Sequence, residues 1–450
     1  MELKKHYKDF KIMKNINIGI LGFGTVGTGV ARLLLENETL MVQRLGSRLC
    51  LKKIADIDIQ TDRGITIPNG LLTTDAFQII NDPDIDIIVE TIGGETVAKD
   101  FMMAAIQKGK HVVTANKALL AKHGNTILHQ ALENSVDLAF EASVGGCMPI
   151  IKTIRESLIG NHILELSGIL NGTCNFILSK ITNEGVTYDE ALAEAQHKGF
   201  AEADPALDVN GNDTAHKLAI IMALSFGMSI QLDDIHTEGI TKITPMDIQF
   251  ANQFGYCIKL LAITKMIEQK NAVEARVHPT MIPYKNMLSN VNDSYNAISI
   301  KGDAIGEMVL YGHGAGMMPT ASAVISDIAD LARNIRTDSG SRIPMLSYIP
   351  EHIHKMSVLP IEEIISRFYF RFTAIDSPGV LSKIAGVLGE HNISIDCVHQ
   401  KGRKTKQAVP IVMLTHQAKE ADVRSALSKI QTLDVVREEP IFIRIEDNFE

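Results

Sequence analysis

The sequence predicts an α/β protein in three parts: a parallel-sheet domain over 15–142, an α+β domain over 143–335, and a small unit over 367–450. Three observations predict it. Apolar strands and amphipathic helices alternate through the first part, as crossovers between parallel strands require. A glycine-rich turn, GFGTVG, sits between the first strand and the first helix. The last part runs strand, helix, strand, strand, helix, strand, the ferredoxin-like order.

Residues 1–14 read as a solvated arm in which Lys4, Lys5, Lys8, Lys11 and Lys14 are interleaved with apolar residues. Ile16, Ile18 and Ile20 begin the first strand, and 26–35 is helical. Strands follow at 49–57, 84–91 (DIDIIVET) and 111–114 (HVVT), and 136–140 continues the pattern. Beyond 143 the texture changes: 160–180 reads as strand then helix, 214–226 as helix, and 275–300 as strand-like patches. Residues 319–335 form a helix expected to return to the first domain, with Pro319 where a first-turn proline is tolerated. The polar stretch RTDSGSR opens a connector over 336–366. In the last part RFYFRFTAI, 393–400, 408–415 and 441–445 are the strands, and 380–391 and 421–430 the helices.

A chain of 450 residues exceeds one ordinary core. Hydrophobic residues make up 45%, which excludes a disordered chain, and the formal charge of -9 argues against nucleic acid as a partner. The longest apolar stretch, 218–230, is broken by Ser225 and Gly227 and suits a buried helix, so no membrane association is expected. No signal peptide stands out. Cys50, Cys147, Cys174, Cys257 and Cys397 have no CxxC spacing and read as free thiols of the cytoplasm.

Gly22-x-Gly24-x-x-Gly27 follows a strand and precedes a helix, the context that makes this motif a dinucleotide loop of a Rossmann-like domain. Gly22 permits the turn, Gly24 lets backbone approach a pyrophosphate, and Gly27 allows close helix–strand packing. The helix N-terminus offers N–H groups and positive dipole to phosphates. The second strand ends in ADID. Asp56 there is either a ribose contact, favouring NAD, or a solvated strand end; Lys52, Lys53 and Arg63 suit the phosphate of NADP instead.

Three segments carry the chemistry of a second ligand. Thr114-Ala115-Asn116-Lys117 follows a parallel strand, and strand C-termini face the ligand crevice, so Lys117 is a candidate beside its reading as a surface lysine. Glu141-Ala-Ser-Val144-Gly-Gly146-Cys-Met148 mixes a carboxylate with a glycine turn. Chemistry alone favours an interdomain hinge there, although such carbonyls also suit a hard cation. The third, GFAEADPALDVNGNDTAHK, places Glu202, Asp204, Asp208 and Asp213 in a loop that runs into a helix. Asp213 and Lys217 share one helical face, commonly a surface ion pair. Here the helix continues apolar, which puts Lys217 at the edge of a core, where desolvation eases release of a proton. The carboxylates suit an ammonium group. His197, His216 and His313 lack metal-ligand spacing and read as packing or solvent residues.

Together GFGTVG, DIIVETIGG, GKHVVTANKALLA, EASVGGCMPII, GILNGTCNFIL, GFAEADPALDVNGNDTAHKLAI and GHGAGMMPTASAVISDI resemble the homoserine dehydrogenase family from residue 19 to about 330. AIDSPGVLSKIAGVLGEHNISI looks like an ACT domain. The resemblance implies NAD(P)H-dependent interconversion of aspartate 4-semialdehyde and homoserine, in threonine, methionine and isoleucine biosynthesis. It implies that Lys217 gives the proton, that Lys117 lies in the same site near the nicotinamide, and that Glu202, Asp208 and Asp213 hold the substrate's amino group and order the lysines. Phe23, Thr25, Val26, Thr91, Gly199 and Gly316 look like further cofactor contacts. Glu141 with Val144, Gly146 and Met148 resembles the family's sodium site. Asp376, Gly379, Val380, Leu381 and Asn392 match the effector loop, with threonine the expected inhibitor, and a homodimer or homotetramer is implied. ADID lacks the arginine of many NADP-favouring members, which leaves the dinucleotide open.

Two other readings compete. A phosphorylating semialdehyde dehydrogenase needs an acylated thiol, Cys147 or Cys174. A non-catalytic amino-acid sensor needs none of Lys117, Glu202, Asp213 and Lys217.

Overall fold

The computed structural model describes residues 13–340, 342–400 and 408–447. All of the lysine-rich arm but Met13 and Lys14 therefore lies outside the described residues. The first domain is a six-stranded parallel sheet in the order β3-β2-β1-β4-β5-β6. Its strands are β1 (Met13–Leu21), β2 (Ser47–Ala55), β3 (Leu72–Thr73), β4 (Ile87–Glu90), β5 (His111–Thr114) and β6 (Leu138–Ala139). Every residue of β4 is buried, as a strand covered on both faces demands. One face carries α1 (Thr25–Glu36), whose Val30, Ala31 and Leu34 pack with Ile16, Ile18 and Ile20. The other carries α2 (Val97–Gln107) and α3 (Lys117–Glu133).

The second domain is built on β7 (Ile163–Ile169), β8 (Tyr256–Ile267), β9 (Ala272–Pro283), β10 (Tyr295–Gly302) and β11 (Gly306–His313). The helices α4 (Gly172–Glu184), α5 (Asn212–Phe226) and α6 (Pro245–Gln253) belong to it. Every residue of α5 after Asn212 is buried, so its apolar run is a core helix. The helix α7 (Met317–Thr337) returns to the first domain: Ala321, Val324, Ile328 and Leu331 join the core under α1, where Gly29 allows the close approach.

The last part comprises β12 (Ile365–Ile375), α8 (Val380–Glu390), β13 (Ile395–Gln400), β14 (Ala408–Thr415), α9 (Glu420–Gln431) and β15 (Ile441–Ile445). Its sheet does not stand apart. β15 pairs in parallel with β9 through Thr280–Arg444 and Met281–Ile445, so one sheet runs β11-β10-β7-β8-β9-β15-β12-β14-β13.

Buried charge ties this junction. The Arg444 guanidinium donates to Glu420 at 2.6 Å and Glu238 at 2.9 Å. Glu446 accepts from Arg276 at 2.7 Å and Lys265 at 2.9 Å. Asp247 of α6 accepts from Arg371 at 2.6 Å and the Tyr369 hydroxyl at 3.0 Å. No helix among the described residues is long and apolar enough to cross a membrane.

Burial works against ionisation of Glu446, but Arg276 and Lys265 outweigh it and hold the carboxyl at about 2, below its ordinary 4.5. A depressed acid stabilises the fold above its unfolded value, and that contribution is lost as pH falls toward the folded one. Glu446→Gln is therefore expected to lower stability at pH 7 by roughly 3 kcal/mol. Its acid loss between about pH 4.5 and about pH 2 should be shallower than in the wild type. Denaturant unfolding across this range checks both; parallel pH profiles contradict the assignment.

Candidate active site

A cleft of about 780 Å³ opens between the first two domains. One wall is the glycine loop. Gly22 has φ +99°, and a Cβ there would meet the backbone of Thr91 at 2.6 Å; a Cβ on Gly27 would meet the Gly22 carbonyl oxygen at 2.0 Å. A Cβ on Gly24 would meet nothing, so the loop's outer side is open to a ligand's phosphates. The Thr91 hydroxyl donates to the Gly22 carbonyl at 2.9 Å. The start of α1 at Thr25 and Val26 lines the cleft.

Asp56 is not a free strand end. Its carboxylate accepts the Phe23 N–H of the glycine loop and the Asp58 N–H at 2.8 Å. The Arg63 guanidinium lies 5.3 Å from the centre of the Phe23 ring, placing a cation at the loop. Lys53 turns instead to Gln78, at 3.2 Å.

The opposite wall comes from the second domain, and its centre is Asp213, only 4% exposed in the first turn of α5. Its Oδ2 accepts from Lys217 Nζ at 2.7 Å, and its Oδ1 lies 3.1 Å from Lys117 Nζ. Lys217 Nζ also donates to the Leu170 carbonyl at 2.6 Å. An ammonium has three N–H groups. Among the described residues two of them are held, by Asp213 and Leu170, and Lys217 lines the cleft. Burial disfavours ionised Asp213, yet Lys217 and Lys117 together hold its carboxyl far below the usual range. Asp213 in turn raises Lys117 above its ordinary value, against burial.

Glu202, Asp208, Gly199 and Gly316 line the same cleft. The Asp208 carboxyl is pushed up by burial and then by Asp213, while the Asn171 amide, 2.7 Å from its Oδ1, opposes the rise. Lys117 starts α3 behind its cap Asn116, whose side chain accepts from Leu119 N–H. The fully buried Glu90 accepts from Thr114 Oγ1 at 2.6 Å and Ile92 N–H at 2.8 Å, joining the ends of β4 and β5 below Lys117. Sequence reasoning missed Glu90 and Asn171. Glu90 looks like strand interior, and Asn171 like a helix start. His313, read as a packing or solvent residue, stacks on Tyr295 with ring centres 4.5 Å apart, and both line the cleft.

The turn 141–148 backs the cleft, which Gly145 and Gly146 line, both at positive φ. The Glu141 carboxylate accepts from Ile151 N–H at 2.8 Å and Lys152 N–H at 2.9 Å, capping a short helix. Burial and then Asp327 push it up to about 7. Among the described residues no group of three or more His, Cys, Asp and Glu can hold a metal, so a cation on this turn would rest on backbone carbonyls. The turn fits that: its two left-handed glycines redirect successive carbonyls, and behind it the buried Asp327 carboxylate accepts the Glu141 N–H at 2.8 Å.

Cys174 is fully buried, and its thiol is pushed well above its ordinary value by burial, then by Asp208 and Asp213. That environment suppresses the thiolate which an acyl-enzyme route through this residue needs.

A second cavity of about 340 Å³ is lined by Asp376, Gly379, Val380 and Leu381 with Gln400. Asn392 does not join them. It lies past the far end of α8, a helix about 16 Å long, so the grouping of Asn392 with the helix start does not hold within one chain.

The family model for homoserine dehydrogenase matches residues 149–329, that for the homoserine dehydrogenase NAD binding domain matches 22–141, and that for the ACT domain matches 368–435. Homoserine dehydrogenase of Neisseria gonorrhoeae is 42% identical, over 96% of this chain and 99% of that protein. That of Pseudomonas aeruginosa is 43% identical, with the same coverage. The crystal structure of a homoserine dehydrogenase from Thiobacillus denitrificans superposes with a TM-score of 0.91 at 43% identity, over 97% of this chain and 99% of that one. A hyperthermophilic archaeal homoserine dehydrogenase in complex with NADPH matches 71% of this chain and 98% of that one, at 26% identity and a TM-score of 0.59. With a dinucleotide loop facing a buried ammonium across one cleft, and relatives of this identity along almost its whole length, the chain belongs to the homoserine dehydrogenase family of NAD(P)-dependent oxidoreductases.

Proposed function

We propose that the cleft reduces L-aspartate 4-semialdehyde to L-homoserine, with Lys217 as the proton donor and threonine as a feedback inhibitor. The observation that carries this reading is the Lys217 ammonium, held by Asp213 and Leu170 across the cleft from the glycine loop. A bound NAD(P)H supplies the hydride. Negative charge then develops on the carbonyl oxygen, where Lys217 stabilises it and gives up a proton. Glu202, Asp208 and Asp213 hold the substrate's ammonium group, and Asp213 also keeps both lysines in place. Lys117 lies beside the reacting carbon.

A sodium ion held by Val144, Gly146 and Met148 carbonyls with Glu141 would stiffen the turn behind the cleft. We place threonine in the cavity of Asp376, Gly379, Val380 and Leu381, with Asn392 supplied by a second subunit of a homodimer or homotetramer. The cytoplasm is the expected compartment. The dinucleotide is NAD or NADP: Asp56 and Arg63 both stand at the loop, and assays of homoserine oxidation with each, with and without threonine, separate them.

Lys217→Ala is expected to lower kcat about 10²- to 10⁴-fold with dinucleotide affinity unchanged, measured by absorbance of the reduced nicotinamide and by equilibrium binding. Turnover near wild type would remove Lys217 from the mechanism. Asp376→Ala is expected to lose threonine inhibition, and inhibition that survives would place the effector elsewhere.

A further inference from the structure

Asn171 stands where the chain leaves β7 for α4, only 4% exposed, and its amide has no freedom. Its Oδ1 accepts the Cys174 N–H at 2.8 Å, capping α4. Its Nδ2 donates to Asp208 Oδ1 at 2.7 Å and to Asp213 Oδ2 at 2.9 Å. Flipping the amide would set its oxygen against two carboxylates and its N–H groups against a backbone N–H, so the cap dictates where the donors point.

The neighbouring carbonyl, Leu170, orients Lys217. One strand-to-helix junction thus supplies partners to three charged groups of the site. Asp208 and Asp213 repel each other, and the groups acting on Asp208 are Asp213, Lys217, Lys117 and the Asn171 amide; the Cys174 thiol donates to its main-chain oxygen at 3.2 Å. Among these, Asn171 alone donates from one group to both carboxylates.

We propose that Asn171 is a positioning residue that fixes the Asp208 and Asp213 carboxylates in the spacing the substrate's ammonium group requires. The inference rests on the proposed reading of the cleft. The cap alone makes Asn171 a structural residue, so the test must separate the cap from the amide donors. Asp and Ser both cap helices about as well as Asn. Full-length Asn171→Asp and Asn171→Ser therefore keep the first role and remove the second.

Homoserine oxidation by these variants is expected to show a KM for homoserine about 10- to 100-fold higher in Asn171→Asp, with a smaller rise in Asn171→Ser. The acidic limb of the kcat/KM profile should move to higher pH in Asn171→Asp, because three crowded carboxylates hold a proton longer. Dinucleotide affinity and the far-ultraviolet circular dichroism spectrum should stay as in the wild type. A wild-type KM and acidic limb in Asn171→Asp overturns the proposal, as does a fall in kcat alone. If Asn171→Asp does not fold, Asn171→Ser decides: a raised KM supports the proposal and an unchanged one overturns it. Wild-type enzyme inert toward homoserine defeats the functional reading and this inference with it, a result distinct from any difference among the variants.

Discussion

The site depends on one buried negative charge. The Asp213 carboxylate is almost wholly out of water and stays ionised because two ammonium groups and an amide converge on it. Each partner comes from a different element: Lys117 from the start of α3 in the first domain, Lys217 from one turn along α5, and Asn171 from the junction of β7 and α4. Buried ion pairs contribute little net stability, but they penalise any geometry that separates them. The cluster therefore ties the two domains together across the cleft that Lys217 and Lys117 both line.

The rest of the fold serves that arrangement. Parallel strands deliver the glycine loop and Lys117 to one rim, because all their C-termini point the same way. Glu90 locks the ends of two of these strands together. The returning helix α7 closes the first domain's core after the second domain has been built, so the cleft lies between parts joined by several chain crossings. The ACT sheet continues the catalytic sheet, and Arg444 of its last strand holds Glu238. Two residues on, Ile240 N–H bonds the Val209 carbonyl, next to Asp208, at 2.9 Å. The ACT part is thus linked to the acidic loop through the segment 238–240.

Much of this was legible because local pattern and local chemistry coincide. The glycine spacing carries its own steric reason, and an aspartate four residues before a lysine on an otherwise apolar helix marks a charge pair at a core edge. What was not legible depends on partners distant in sequence. Pairing of β9 with β15 is invisible to periodicity, which reports the faces of a strand and not its edges. The stretch 160–180 reads as strand then helix, but only the fold shows Asn171 at that junction with Asp208 and Asp213 on the other side of its amide. The turn 141–148 reads as a hinge, and only the fold shows that the Glu141 carboxylate caps the helix that begins at Ile150. Asp56 looked like either a ribose partner or a solvated end, and it binds the glycine loop's own backbone.

The most direct measurement is steady-state kinetics of Asp213→Asn, which keeps the shape of the side chain and removes the charge that gathers the lysines. The kcat/KM for homoserine is expected to fall at least about a hundredfold while dinucleotide binding persists, because Lys217 and the half-buried Lys117 lose their common anion. Activity within a few-fold of wild type would show that the lysines are held and poised without it, and would contradict the account.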